Sequence, residues 1–150
     1  MQEIEIKQVS VDNIFKIRQQ VLRPGKPIET CFFEKDKALE SFHLGAFYNT
    51  QLIGIASVLE DNSNTFQEKF QFRLRGMAVL PDFRKKKIGA ILLKEAEKYC
   101  FQKKAEILWF NAREKVVPFY EKYAFKKEGS VFLIPSVGNH QLMFKRFNYE

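Results

Sequence analysis

The stretch that decides the fold is "RGMAVLPDFRKKKIGAILLKEAEKY", residues 75–99. Its first part ends an alternating strand that begins near Phe70 and stops at Pro81. The alternation predicts one face made of Phe70, Phe72, Leu74, Gly76, Ala78 and Leu80. The second part predicts a surface helix whose apolar face carries Ile88, Ile91, Leu92, Ala96 and Tyr99.

Four consecutive basic residues, Arg84 to Lys87, stand directly before this helix. A positive first turn opposes the helix dipole at a cost of about 0.3–1 kcal/mol per charge. The charges are therefore either merely solvated or matched by an anion, and free N–H groups at a helix start suit a pyrophosphate. The loop is neither a Walker loop nor GxGxxG, because Gly89 is its only glycine.

The chain after this helix predicts the rest of the sheet. "AEILWF", residues 105–110, is a nearly unbroken apolar run that is typical of a parallel strand covered on both faces. Strand, helix and strand in this order predict a right-handed βαβ crossover. A short helix follows, with Val116, Phe119, Tyr120 and Tyr123 on one face, and strands are expected near Phe125 and from His140 to Phe147.

The first sixty residues predict a strand, a helix, a long loop and a hairpin. Residues 3–9 alternate like a strand, and Ser10 or Asp12 is expected to cap the helix that follows. Its apolar positions are Val11, Ile14, Ile17 and Val21, and "RPGKP" at 23–27 ends it. Residues 28–40 show no periodicity, which is typical of a binding loop or lid. "SFHLGAFY" and "LIGIASVLE" predict a hairpin across residues 49–51.

Composition indicates one globular domain over residues 1–150, without repeats or linkers. The net charge of +7 favours partners that carry phosphate. No apolar run reaches the length of a membrane span and the N-terminus lacks a signal-peptide pattern, so a cytoplasmic protein without a membrane partner is expected. Cys31 and Cys100 form no CxxC, and with only two histidines beside them we expect free thiols and no metal.

Residues 75–99 together with "LWFNAREKVVPFYEKYAF", residues 108–125, resemble the GNAT superfamily of acyl-CoA N-acyltransferases. The family's [QR]xxGx[GA] turn corresponds to Arg84 through Gly89, with Lys87 where glycine is usual. Its FYxxxGF pattern corresponds to Phe119, Tyr120 and Phe125, with Ala124 in place of glycine. "NAR" at 111–113 is closest to the branch that carries these letters after the fifth strand.

The resemblance implies an α/β fold: a mixed, mostly antiparallel sheet with a parallel βαβ unit at its splayed centre and helices on both faces. It also implies that acetyl-CoA lies between the fourth and fifth strands. The pantetheine then pairs with residues 77–79, and an amide of that strand stabilises the oxyanion. The residues implied to bind the co-substrate are Met77, Ala78, Val79, Arg84, Lys85, Lys86, Lys87, Ile88, Gly89, Ala90, Asn111, Arg113, Phe119 and Lys122.

The implied chemistry is direct attack of a primary amine on the thioester in a ternary complex. Tyr120 maps to the tyrosine that protonates or hydrogen-bonds the leaving thiolate, and Arg113 or Lys122 is expected to help by favouring phenolate. The fourth strand holds no acid, so the general base stays open, with a water chain as an equal choice. The candidates are Glu29, Glu34, Asp36, His43, Glu60, Asp61 and His140.

Two other functions stay open at this point. One is an acyl-CoA-binding module of the same fold that does not catalyse. The other is a basic nucleic-acid-associated domain, although its exposed aromatic residues would have to be interleaved with the charges, and here the aromatic residues fall mostly at core-periodic positions. For an enzyme, the expected acceptor is a small-molecule amine or a protein amine, and no nucleic-acid partner is expected. A homodimer is left open, because the resemblance implies a family in which homodimers are common.

Overall fold

The computed structural model describes residues 4–149, which build one sheet of seven strands. The sheet order is β1-β2-β3-β4-β5-β7-β6, and every neighbouring pair is antiparallel except β4 and β5. The strands are β1 (Glu5–Val9), β2 (Phe42–Tyr48), β3 (Gln51–Glu60), β4 (Gln71–Val79), β5 (Ile107–Arg113), β6 (Lys126–Ile134) and β7 (Gly138–Arg146). The predicted fold class is confirmed; residue 3, where the first strand was predicted to begin, lies outside the described residues.

Two α-helices flank the parallel pair as predicted, namely α2 (Ile88–Gln102) and α3 (Val117–Lys122). The predicted first helix is instead irregular: a 3-10 turn (Val11–Asn13), a short α1 (Phe15–Ile17) and a π-helical turn (Arg18–Leu22). The amide of Arg23 donates to the carbonyl oxygens of both Arg18 and Gln19, which widens the last turn. Such π-turns are frequent at functional sites.

Helices cover both faces of the sheet. Helix α2 buries Ile88, Ala90, Leu92, Leu93, Ala96 and Cys100 against one face, where the larger core lies. A smaller cluster on the other face unites the first helical segment with the sheet through Val11, Ile14, Ile17, Ile55 and Ala78. The predicted hairpin is confirmed, since Asn49 and Thr50 both have positive φ (49° and 68°), as a two-residue type I′ turn requires. Cys31 and Cys100 are buried free thiols, as predicted.

A β-bulge at Gly76 interrupts the alternation of β4. Ser57 pairs with Arg75 but Ile55 pairs with Ala78, so two residues of β4 lie opposite one residue of β3. Gly76 has a φ of +68°, which is strained for any residue with a side chain. The extra residue reverses the faces beyond it, so the single face predicted for residues 70–80 is wrong after Gly76. The α2 side of the strand is formed by Phe72 and Leu74 and then by Met77 and Val79, whereas Ala78 faces the smaller cluster.

The two parallel strands separate soon after they meet. Strand β4 pairs with β5 at only three positions, from Gln71 opposite Ile107 to Arg73 opposite Trp109. Beyond Arg73 the β5-facing edge of β4 has no strand partner among residues 4–149. The separation leaves an opening in the middle of the sheet, as the predicted splayed centre requires.

Candidate active site

The floor of the opening is the last pair of β4 and β5. The guanidinium carbon of Arg73 lies 4.9 Å from the ring centroid of Trp109, and its Nη1 lies 3.4 Å from Oδ2 of Asp61. The indole Nε1 of Trp109 donates to the main-chain oxygen of Asp61 at 2.9 Å. The three side chains thereby hold the two strands together where they begin to part.

The edge of β4 above this floor offers main-chain groups to a ligand. The amide of Leu80 donates to the carbonyl oxygen of Ile53 at 2.9 Å, so it points toward β3. Because successive peptide groups of a strand point to opposite sides, the peptide groups of Val79 face the opening. Nε of Arg84 donates to the carbonyl oxygen of Val79 at 3.2 Å. The side chain of Arg84 therefore covers the edge on which the pantetheine is expected.

The start of helix α2 presents free N–H groups and positive charge at the top of the opening. The first intrahelical bond runs from the amide of Ile91 to Lys87, so the amides of residues 88–90 have no helical acceptor, and no side chain caps them. The side chains of Ile88 and Ala90 are buried, which leaves only their amides for a ligand. Residues 84–87 are all exposed. An anion at this point is favoured by the free amides, the helix dipole and the basic side chains together.

Lys87 adopts a left-handed backbone conformation that favours glycine. Its φ and ψ are 61° and 24°, in the left-handed region, and Lys85 also has a positive φ of 68°. The replacement of glycine by lysine therefore preserves the turn into α2 at some cost in strain. A Cβ atom built on Gly89 would lie 3.6 Å from Sδ of Met77, an ordinary van der Waals distance, so packing against β4 does not by itself require glycine there.

Tyr120 is fixed by the way helix α3 ends. The amide of Phe125 donates to the carbonyl oxygen of Tyr120 at 3.2 Å, and the amide of Ala124 donates to Glu121 at 3.0 Å. This pair of bonds is a Schellman motif, and it is accompanied by ring contact between Tyr120 and Phe125 at a centroid distance of 6.2 Å. Ala124 supplies the left-handed residue that the motif requires, with a φ of 71°. The spacing of the FYxxxGF pattern thus fixes the position of the tyrosine ring.

We expect Ala124→Gly to stabilise the protein by about 0.5–1 kcal/mol, because glycine adopts a left-handed φ without the strain that alanine stores there. For a chain of this size, the melting temperature would rise by about 2 °C, as differential scanning calorimetry would measure. Ala38→Gly is the matched control, because Ala38 does not have a positive φ. This change should destabilise the protein. Equal effects of the two changes would contradict this explanation.

The ring of Tyr120 lies in an apolar cage. Phe110 is the closest aromatic neighbour, with a centroid distance of 4.3 Å, and Phe119 follows at 5.0 Å. Burial raises the pKa of Tyr120 to about 12, and no charged neighbour contributes to this change. Arg113 and Lys122 are exposed and neither lowers the pKa of Tyr120, so the expectation that they favour phenolate is wrong. The side chain of Tyr120 is a neutral phenol at physiological pH.

Asn111 lies on the sheet face opposite to Tyr120. Phe110 and Ala112 belong to the core on the α2 side, whereas Trp109 and Asn111 line a cavity of about 400 Å³ on the other side. The cavity also contains Glu128, which sequence reasoning missed. Arg113 is exposed and pairs with His140 of β7. It stays a prediction that CoA contacts Asn111, Arg113, Phe119 and Lys122.

Two of the candidate bases, Asp36 and His43, are held in a buried network. Arg18, which is fully buried, donates from Nη1 and Nη2 to the two carboxylate oxygens of Asp36, both at 2.7 Å. Nη2 also donates to Ser57 Oγ at 2.7 Å. Because a carbonyl oxygen only accepts, His43 must donate from Nε2 to the main-chain oxygen of Asp36 (2.9 Å) and accept from Ser57 at Nδ1. Burial lowers the pKa of His43, and both of its ring nitrogens are engaged within the network.

The other candidate bases are divided between the surface, the interior and the floor of the opening. Glu29 and Glu34 are exposed, and Glu60 accepts the amide of Glu40 at 3.1 Å. His140 is buried and donates from Nδ1 to the carbonyl oxygen of Gly138 at 2.8 Å. Of the seven named candidates, Asp61 contacts the floor of the opening through Arg73.

The loop of residues 28–40, predicted as a binding loop or lid, is docked on the bulge of β4. The ring centroid of Phe33 lies 3.8 Å from the guanidinium carbon of Arg18 and 4.0 Å from that of Arg75. A Cβ atom on Gly76 would lie 2.9 Å from the Phe33 ring. Sequence reasoning missed Arg18, Phe33 and Arg75. For Arg18 a signal existed, because it follows Ile14 by four residues and so places a charge within the apolar stripe of the helix.

Neither a membrane span nor a metal cluster is found in the described part of the chain. No helix within residues 4–149 combines the length and the apolar character needed to cross a bilayer. The same residues contain no group of three or more His, Cys, Asp and Glu side chains arranged to share a metal ion.

Comparisons with known proteins agree with this geometry. Residues 10–125 match the model of the acetyltransferase (GNAT) family. An uncharacterised N-acetyltransferase of Bacillus subtilis, YitI, is 41% identical over 142 residues, which cover 95% of each chain. Among solved structures, Escherichia coli ElaA superposes with a TM-score of 0.75 at 17% identity, covering 97% of this chain and 100% of its own. The PaiA N-acetyltransferase of Thermoplasma acidophilum, solved in complex with coenzyme A, has a TM-score of 0.69 at 23% identity and covers 97% of this chain and 99% of its own.

Proposed function

The chain belongs to the GNAT acetyltransferase family and is an acyltransferase, and on this premise we propose that it transfers an acetyl group from acetyl-CoA to a primary amine in a ternary complex. The observation that carries the proposal is the separation of β4 from β5 beyond Arg73 and Trp109, directly below the uncapped start of α2. An extended pantetheine fits between two parted strands because the edge of β4 offers it strand-like hydrogen bonds.

The residues proposed to hold acetyl-CoA fall into two groups. Residues 77–79 provide the main-chain edge for the pantetheine, with the peptide groups of Val79 facing the opening. The amides of residues 88–90 and the basic side chains of residues 84–87 hold the pyrophosphate. Arg84 must release the carbonyl oxygen of Val79 for both groups to act, and a phosphate offers it a better partner than the carbonyl does.

The reaction needs no nucleophile from the enzyme. The neutral acceptor amine attacks the thioester carbon, and the negative charge that develops on the carbonyl oxygen is stabilised by a free amide of β4. As the C–S bond breaks, the phenol of Tyr120 donates a hydrogen bond to the departing sulfur. The proton of the amine leaves through water, for which Asp61, paired with Arg73 at the floor of the opening, is the candidate base.

Three further expectations are part of the proposal. Residues 1–150 act as one N-acetyltransferase domain, the protein works in the cytoplasm, and its acceptor is a small-molecule or protein amine rather than a nucleic acid. The basic residues of the α2 start are assigned to the co-substrate, which accounts for them without an RNA partner.

The proposal is tested by calorimetric titration of the purified protein with acetyl-CoA, CoA and a short RNA at two salt concentrations, followed by a screen of amines for CoA release. We expect acetyl-CoA to bind and at least one amine to release CoA. Replacement of Lys85, Lys86 and Lys87 by glutamine should weaken acetyl-CoA binding about 10-fold or more, because charge-assisted bonds to phosphate are lost. The matched control replaces three exposed lysines elsewhere, Lys16, Lys26 and Lys98, and should leave binding unchanged.

Two outcomes would contradict the proposal in different ways. Tight CoA binding without release for any amine would indicate a binding module that does not catalyse. RNA binding that falls steeply with salt while acetyl-CoA fails to bind would overturn the assignment of the basic loop.

A further inference from the structure

Arg75 is a cation beside the opening for which residues 4–149 supply no counter-ion. It is half-buried on β4, two residues beyond the last residue that pairs with β5. Among residues 4–149 its side chain has no salt bridge and no hydrogen bond, and its closest described partner is the ring of Phe33 at 4.0 Å. An aromatic face attracts a guanidinium group but offers no acceptor for its five N–H donors.

The surroundings of Arg75 add positive charge rather than neutralise it. Arg18, Arg23 and Arg73 lie close enough to act on it, together with the carboxylate of Asp36. Asp36 is occupied by both Nη atoms of Arg18, and Asp61 is paired with Arg73. Burial, followed by the positive charges of these three arginines, lowers the pKa of Arg75 to about 10, which still leaves it charged at neutral pH. Three arginines and one carboxylate thus act on Arg75, and that carboxylate is already paired with Arg18.

The position of Arg75 separates it from the proposed phosphate site. Val79, whose carbonyl oxygen binds Arg84, lies four residues further along β4, which is roughly 13 Å at the rise of a strand. Arg75 also lies on the sheet face opposite to α2, since it alternates with Leu74 of the α2 core. Trp109 and Asn111 line a cavity of about 400 Å³ on the same face, and Arg75 is not among its lining residues.

We propose that Arg75 binds an anionic group of the acceptor, so that the substrate is a small amine that also carries a carboxylate or a phosphate, as an amino acid does. The proposal rests on the function proposed above and narrows its acceptor class. The planar fork of Arg75 matches a carboxylate or phosphate with two parallel hydrogen bonds, and an anion there relieves the excess charge of the arginine cluster. Phe33 orients the guanidinium group by stacking, and the Arg18–Asp36 pair holds Phe33 in place.

The experiment compares kcat/KM for matched acceptors with acetyl-CoA saturating. One arm uses L-amino acids, each beside its methyl ester; the other uses phosphoethanolamine beside ethanolamine. We expect kcat/KM to be about 10- to 100-fold higher for the anionic member of a pair. A preference for amino acids over their esters would indicate a carboxylate, and a preference for phosphoethanolamine over ethanolamine would indicate a phosphate. Arg75→Gln should abolish this preference while the KM for acetyl-CoA stays unchanged, and Arg75→Lys should restore part of it.

The preference within a pair is a ratio, so partial unfolding of a variant does not change it. The matched control is Lys16→Gln, which removes the same charge from an exposed position of the first helical segment and should keep the preference. Any of three results would overturn the inference. These are equal or better use of the neutral acceptors, a preference that survives in Arg75→Gln, and no turnover of any acceptor in either arm. A protein that acetylates neutral amines keeps the proposed function, whereas failure to bind acetyl-CoA would remove that function itself.

Discussion

Replacement of Tyr120 by phenylalanine is expected to lower kcat about 100-fold and to leave the KM for acetyl-CoA nearly unchanged, as steady-state measurement of CoA release would show. The change removes one hydroxyl group and keeps the ring that packs on Phe110 and Phe125. The fold should therefore survive, because the apolar cage loses no contact. The expected decrease in kcat arises in the step in which the thiolate departs.

The expected role of Tyr120 is that of a hydrogen-bond donor rather than a full acid. With the pKa of Tyr120 raised to about 12 and that of a thiol near 8.5, complete transfer of the proton would be uphill by roughly 5 kcal/mol. A hydrogen bond to the sulfur, in contrast, strengthens as negative charge develops there, and the buried surroundings strengthen it further. The stabilisation is thus largest in the transition state, which places the effect on kcat.

Tyr123→Phe is the matched control, because Tyr123 ends the same helix and packs on Phe119 without belonging to the FYxxxGF pattern. It should leave kcat within about twofold of the parent. The pH profile is an independent readout: since burial raises the pKa of Tyr120, the phenol stays protonated well above pH 10, and kcat should not fall between pH 8 and pH 10. A falling limb in this range that disappears in Tyr120→Phe, or full activity of Tyr120→Phe, would contradict the assigned role.

The second large effect is expected for Asp36→Ala, which should lower the free energy of unfolding by about 3–5 kcal/mol. Asp36 accepts two bonds of 2.7 Å from Arg18, and side-chain exposure is 1% for Arg18 and 5% for Asp36. Without Asp36 the charge of Arg18 remains buried and unpaired. For a chain of this size the melting temperature would fall by roughly 10 °C, as circular dichroism would measure.

Asp36→Ala should also release the loop of residues 28–40 from its contacts with Arg18 and β4. Oδ2 of Asp36 accepts the amide of Phe33 at 2.8 Å, and Phe33 packs against Arg18 and Arg75. Loss of these contacts should make the loop more sensitive to protease than in the parent protein.

Glu5→Ala is the matched control for Asp36→Ala. Glu5 pairs with Lys7 at 3.6 Å on the surface, where the side chains are 66% and 55% exposed, so the change should cost less than about 1 kcal/mol. The double change Arg18→Met with Asp36→Leu removes both buried charges and should be more stable than Asp36→Ala alone. An Asp36→Ala protein no less stable than Glu5→Ala would refute the structural role of the network.

Local sequence patterns were sufficient to predict the central βαβ unit and the family. Helical spacing in residues 88–99 and the apolar run at 105–110 are properties of neighbouring residues, and the structure confirms α2 and β5 there. The FYxxxGF pattern is equally local, since the Schellman motif that places Tyr120 closes within six residues. Such patterns are readable because each element's own geometry dictates them.

The irregular features required the folded chain. The bulge at Gly76 depends on the register with β3, and one extra residue reversed every face predicted beyond it. The π-turn that begins at Arg18 holds this side chain in contact with a loop and a strand far along the chain, at Asp36 and Ser57. Neither register nor distant contacts are visible in a local pattern.

The sequence by itself determined the order of elements, the basic start of α2 and the tyrosine, because these follow from spacing and charge along a short stretch. Only the tertiary structure decided that Asp36 and His43 share one buried network, that Asp61 lies at the floor of the opening, and that Arg75 has no counter-ion within residues 4–149. The physical reason is that burial and pairing of a charge depend on residues brought together from distant parts of the chain. The proposed acceptor side is built from such groups, whereas the proposed CoA side is built mainly from one strand, one turn and one helix start.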